Sequence, residues 1–160
     1  MTVNEVKELL KIYYDIPQMI DEEFATIRHC EEQKDRINLP PVNLSGLPGG
    51  KGVPGDRTAN MALADQARYY DDEIMNCYRR IAELREKRGW IRTELDALDR
   101  VDRQILQLAY IGPADPMRRR GWKQPSWKEV ANRVHYSVNW TQTRASRTLF
   151  NLVERVDEKW

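Results

Sequence analysis

No apolar run in the 160-residue chain approaches the ~20 residues that a membrane-spanning helix needs. The opening MTVNEVKELL has neither the basic start nor the apolar stretch of a signal peptide, so the expected location is the cytoplasm, with no membrane partner. Cysteine is scarce. Cys30 and Cys77 stand far apart without CxxC spacing, which argues against a disulfide framework or a zinc cluster and for two buried thiols. The two histidines, His29 and His135, also lack metal-ligand spacing, and His135 is expected to pack in a turn. No His, Cys or Ser lies in a nucleophile setting, and the acids are spread along exposed helix faces. Neither catalysis nor a cofactor or metal is expected.

What is present is apolar and charged in helical proportions. Hydrophobic residues make up 41% of the chain, enough for a core and against disorder, and charged residues 32%, on the coiled-coil side of average. The formal net charge is only +1, but it is unevenly placed. Residues 1–100 hold 15 Lys+Arg against 19 Asp+Glu, and residues 101–160 hold 11 against 6. Between 118 and 147 stand eight bases (Arg118, Arg119, Arg120, Lys123, Lys128, Arg133, Arg144, Arg147) and a single acid, Glu129. Such a segment invites an anionic partner, provided a fold gives the charge a purpose.

Two apolar seams occupy the first hundred residues. Val3, Val6, Leu10, Tyr13, Pro17, Ile20, Phe24 and Ile27 alternate steps of three and four, the period of a helix with one apolar stripe. Pro17 predicts a kink or two abutting helices, because proline removes a backbone donor and clashes with the preceding turn. The second seam, Leu63, Ala67, Tyr70, Ile74, Cys77, Ile81, Leu84, Arg88, Ile91, Leu95 and Leu98, is a coiled-coil pattern interrupted only at Arg88. A helix capped by Asp56 or Thr58 and ending near Ala97 would be roughly 60 Å long at ~1.5 Å per residue. It needs a partner: the first helix folded back as an antiparallel hairpin, the same helix of a second subunit, or both.

Between the seams, LPPVNLSGLPGGKGVPGDR (Leu39 to Arg57) carries four of the eight prolines and five of the eight glycines and reads as a loop over 38–57. Its GLPGGKG is not a phosphate loop. Only three residues separate Gly46 from Gly50, and Gly52 follows Lys51 where Ser or Thr must ligate magnesium.

The last sixty residues hold three further helices. Leu98 to Ile111 places Val101, Ile105 and Leu108 on one face, with Asp99 as its cap and Asp102 in its first turn. Gly112, Pro113 and Pro116 end it, and a basic loop runs from Arg118 to Lys123. Ser126 and Glu129 have the spacing of a capping box for a short helix, Trp127 to about Val134, that buries Val130, Ala131 and Val134. Ser137 caps a last helix running to about Arg155. So tight a junction is a helix-turn-helix. It needs a small residue at the crossing, Ala131; an apolar residue seated in the turn, Tyr136; and an inward stripe, Thr141, Ala145, Leu149, Leu152 and Val156. The opposite face gathers Asn139, Gln142, Thr143, Ser146 and Arg147, side chains suited to base edges and phosphates. Trp140 is expected either to pack on the turn or first helix or to touch a thymine methyl or sugar.

The segment VANRVHYSVNWTQTRASRTLFNLVERV, Val130 to Val156, resembles the region-four helix-turn-helix of bacterial sigma factors. It does so in the Ala131 position, the Tyr136-Ser137 turn, and Ser146-Arg147 followed by Leu149. More of the chain is similar to phage and prophage late-transcription regulators of the RinA and ArpU type and a related phage family. They share a helical amino-terminal region, a glycine-proline loop, a helix like Leu106 to Ile111 and a motif like Ser126 to Ala131. The resemblance implies a regulator of late phage genes in the cytoplasm of a bacterial host cell. Asn139, Gln142, Thr143 and Arg147 would enter the major groove, and Lys128, Arg133 and Arg144 would contact phosphate. His135, where such turns usually have glycine, and Thr141, where the anchor is usually valine or isoleucine, depart from the pattern.

The expectation is thus an all-α chain in two parts. Residues 1–97 form a helical hairpin or coiled coil that pairs subunits, and residues 98–160 a helix-turn-helix domain that binds double-stranded DNA. Two alternatives share the fold. One is a helical adaptor docking on RNA polymerase or a sigma factor with weak DNA contact, and the other a packaging protein like the small terminase subunits, which usually carry the DNA-binding part first.

Overall fold

A computed structural model of the chain describes residues 1–38 and 57–157. The glycine-proline segment with its GLPGGKG, and Asp56 as a helix cap, lie outside the described residues, where every regular element is helical. The order is α1 (Val3–Ile12), α2 (Ile16–Asn38), α3 (Arg57–Ala97), α4 (Arg100–Leu106), a π-helical turn (Gln107–Ile111), α5 (Pro116–Arg119), α6 (Trp127–Val134) and α7 (Val138–Asp157). No described helix is long and apolar enough to cross a membrane.

The first seam breaks where its proline requires. α1 is opened by a capping box between Thr2 and Glu5 and ends at Ile12, and three turn residues lead into α2. Pro17 falls in the first turn of α2, where its missing N–H has no partner to lose. α3 is a single helix to Ala97, with Thr58 inside it rather than capping it.

Contacts group the chain into two units, Gln18–Glu83 and Met1–Pro17 with Leu84–Trp160. This differs from the division at 97/98 expected from the sequence. The reason is packing: Val6, Leu9 and Leu10 of α1 and Trp90, Ile91 and Leu95 of α3 are buried in the same core as Ile105, Leu106, Leu149 and Leu152.

Within the unit Gln18–Glu83, α2 folds back on α3. Ile27, Cys77 and Ile81 are buried together, with Ile20, Phe24 and Ile74 packed around them. Glu23 pairs with Arg80 at 2.9 Å, and Lys34, further along α2, pairs with Asp71, earlier on α3. Partners that run in opposite directions make the hairpin antiparallel, one of the arrangements the seam permitted. Arg80 also reaches Glu73 at 3.0 Å. Its guanidinium, hydrogen-bonded to Glu23, holds that carboxyl below the usual range. Both cysteines are free and buried, and burial pushes both thiols up.

In the other unit, α4 does not run regularly to Ile111. Its last turn widens into the π-helix, closed by the Gly112 N–H donating to the Gln107 carbonyl at 2.8 Å. Gly112 has φ 75°, and a Cβ there would meet the Trp122 ring at 2.9 Å, so both backbone and space demand glycine. The segment from Arg118 to Lys123 begins in the single turn of α5, which Asp115 caps by accepting from the Met117 N–H at 2.9 Å.

Candidate nucleic-acid interface

The helix-turn-helix is built from its caps inward. Ser126 Oγ accepts from the Glu129 N–H at 3.3 Å while Glu129 accepts from the Ser126 N–H at 2.7 Å, closing the capping box at the start of α6. Those bonds, the backbone one foremost, hold the Glu129 carboxyl below its usual range. α6 buries Val130, Ala131 and Val134, and Ala131, 1% exposed, leaves room for the neighbouring helix.

The turn follows from one residue. His135 takes the left-handed conformation, φ 61° and ψ 38°, filling the role that glycine usually has there. The Tyr136 N–H then donates to the Ala131 carbonyl at 3.1 Å. His135 is exposed rather than packed in the turn, because a left-handed cap directs its side chain away from α6. Tyr136 is likewise not seated inside: it is 46% exposed and stacks on Trp140, ring centroids 4.0 Å apart and planes 18° apart. Trp140 thus packs on the turn, one of its two expected positions.

α7 begins with Ser137 Oγ accepting from the Trp140 N–H at 3.3 Å. The inward stripe is as expected: Thr141, Ala145, Leu149, Leu152 and Val156 are all buried. Thr141 is tolerated in place of an aliphatic anchor because its hydroxyl donates to the Ser137 carbonyl at 2.9 Å. Thr148, which the periodic reading omitted, is buried the same way, donating to the Arg144 carbonyl at 2.9 Å.

The outward side of α7 carries Asn139, Gln142, Thr143, Ser146 and Arg147, all exposed. At ~100° per residue, Asn139, Thr143 and Arg147 form the strip opposite the buried stripe, with Gln142 and Ser146 to one side. Lys128 and Arg133 are exposed on α6. Arg147 makes no ion pair among the described residues.

Arg144 stands apart from the other bases. Its Nε and Nη2 grip both oxygens of Asp102 at 2.6 and 3.0 Å, and Nη2 reaches Asp99 at 3.4 Å. The hydrogen bonds to Asp102 hold this guanidinium firmly charged. Its carbon also lies 5.8 Å from the centre of the Trp140 ring. The residue expected to contact phosphate is therefore occupied in tying α7 to α4. Asp99, expected to cap α4, makes no capping bond and turns to Arg144 instead. Neither pairing has a local sequence signal, since the partners lie more than forty residues apart.

Apart from Trp140, sequence reasoning passed over the exposed apolar side chains of α7. Val138 (39%), Trp140 (38%) and Phe150 (56%) are exposed on α7, with Tyr136 before them. In sequence, an aromatic on an outward face is indistinguishable from one packed at a flank. No family model, no curated protein and no solved structure matches the chain.

Proposed function

We propose that the chain is a sequence-specific DNA-binding protein that regulates transcription, of the sigma-region-four-like kind that the phage and prophage late regulators represent. One observation carries the reading. Asn139, Thr143, Ser146 and Arg147 stand exposed on the first half of a helix whose opposite stripe is wholly buried, directly after a short helix and a tight turn. In helix-turn-helix proteins that half of the second helix reaches base edges in the major groove. Lys128 and Arg133 on α6 are placed for phosphates, and Arg144 positions α7 through Asp102 rather than meeting DNA itself. Pairing of subunits through the hairpin would raise the effective concentration of the second reading head at its half-site.

A second reading is favoured by Tyr136, Val138, Trp140 and Phe150. Exposed apolar side chains, three of them aromatic, suit a protein partner such as RNA polymerase or a sigma factor, with DNA contact secondary.

The deciding experiment is selection of bound fragments from random DNA by the full-length protein near physiological salt. One enriched motif is the expected result, and a repeated half-site would report paired subunits. Arg147→Ala should weaken binding and lower the salt slope by about 1, whereas Gln142→Ala should relax sequence preference. Absence of any enriched motif moves the weight to the protein partner.

A further inference from the structure

A second concave site lies in the same unit, away from the polar strip of α7. The π-turn, the Gly112 corner, α5 and α6 enclose a cavity of about 400 Å3, within the ~300–1,000 Å3 range of small-molecule pockets. Its lining divides by chemistry. Arg118 of α5 and Arg133 of α6 bring two guanidiniums to it from separate elements, and no carboxylate borders it. Arg118 is held only loosely, 3.7 Å from Asp115, and Arg133 makes no ion pair among the described residues, attracting Glu129 only at a distance while Ser126 holds that carboxylate. Trp122 supplies an aromatic wall, fixed by its close fit over Gly112. Gln104 and Gln107 add two amides, each able both to donate and to accept.

Two cations, a flat aromatic wall and two amides suit a ligand with an anionic group, a planar ring and polar ring edges. We propose that this cavity binds a nucleotide, its phosphate held by Arg118 and Arg133 and its base set against Trp122 within reach of Gln104 and Gln107. The arginines provide charge-assisted, two-pronged recognition of phosphate, and base-to-aromatic stacking provides affinity without demanding one base. Gln107 and Leu108 of the π-turn form part of the cavity wall. Widening the helix at Gln107–Ile111 carries the chain into the Gly112 corner, where Trp122 replaces a side chain. The nucleotide is either free in solution or the phosphorylated end of a strand, and the recognition is the same. The inference does not depend on α7 reading DNA.

The test is isothermal titration of the full-length protein with adenosine 5′-monophosphate, adenosine and inorganic phosphate in turn, then with a 5′-phosphorylated dinucleotide. The expected result is saturable binding of the monophosphate, tighter than either fragment. It should weaken about tenfold in Arg133→Gln and in Arg118→Gln. Both residues are exposed, so these variants fold, and Arg92→Ala, exposed on α3, should titrate like the parent. Binding of the dinucleotide alone assigns the site to a strand end, and binding of the monophosphate assigns it to a free nucleotide. No saturable binding of either up to about 10 mM, or binding indifferent to both arginine substitutions, overturns the proposal. An α7 that selects no motif leaves this titration unchanged.

Discussion

His135 shows how much one backbone dihedral decides. A side chain at φ 61° is tolerated by few residue types, with His among those enriched there and β-branched residues excluded. His135→Gly should therefore stabilise the protein by about 0.5–1 kcal/mol, relief of strain exceeding the extra freedom of the unfolded chain, and His135→Val should destabilise it by about 1 kcal/mol or more. Chemical denaturation of the three proteins checks the order Gly, His, Val, and a valine variant as stable as the parent would refute the left-handed turn. At this scale, legibility followed the range of the interaction. The Ser126–Glu129 box and the Ser137 cap join residues three apart and could be read directly. The grip of Asp102 on Arg144 spans forty-two positions and could not, because charge in sequence carries no direction. Tyr136 was assigned to the interior on its apolar character, yet an aromatic ring stacked on Trp140 satisfies itself at the surface.

Among the elements, α6 opens on a titrating group. The Glu129 carboxyl sits below its usual range because it is bonded to Ser126, so its contribution is present above the unfolded carboxylate pKa of about 4.3 and is lost as pH falls through the lower folded value. Replacement by Gln keeps the shape of the box and removes the titration. Thermal unfolding measured between pH 6 and pH 3 should show Glu129→Gln losing less stability on acidification than the parent, with equal slopes ruling the carboxylate out as a contributor. Element by element, the helices were well marked. Periodicity and caps located α6 and α7 within a few residues, and Pro17 announced the division of α1 from α2. The π-turn was hidden, since QLAYI keeps an ordinary helical pattern and the Gly112 corner that follows it meets Trp122, ten residues on.

Across the whole molecule, the two cores differ in depth. Among the described residues the hairpin unit buries Ile27, Cys30, Cys77 and Ile81, while the other cluster buries seventeen side chains from α1, α3, α4, the π-turn, α6 and α7. Opening free energy follows buried contacts. Amides of Gln18–Glu83 should accordingly exchange with deuterium sooner than those of α4 and α7, and uniform protection along the chain would contradict the division. The long seam of α3 was legible as a helix but not as the property of two cores, because period alone does not say which partner covers each turn.

The fate of the basic segment sets a limit of a different kind. Arg119 is paired with Asp15 at 2.8 Å, Arg144 with Asp102, and Arg118 more loosely with Asp115. Arg120, Lys123, Lys128, Arg133 and Arg147 remain without an ion pair among the described residues. Each phosphate neutralised on duplex DNA liberates a condensed counterion, so the logarithm of the binding constant falls with the logarithm of salt by about 0.9 for each contact. If each of these five met one phosphate, as the proposed reading allows, the exponent from this segment of each chain would be about 4.5. A folded protein's own carboxylates thus act as competing counterions, and under the proposed DNA-binding reading they would make the hold on DNA less sensitive to ionic strength than the count of arginines and lysines suggests.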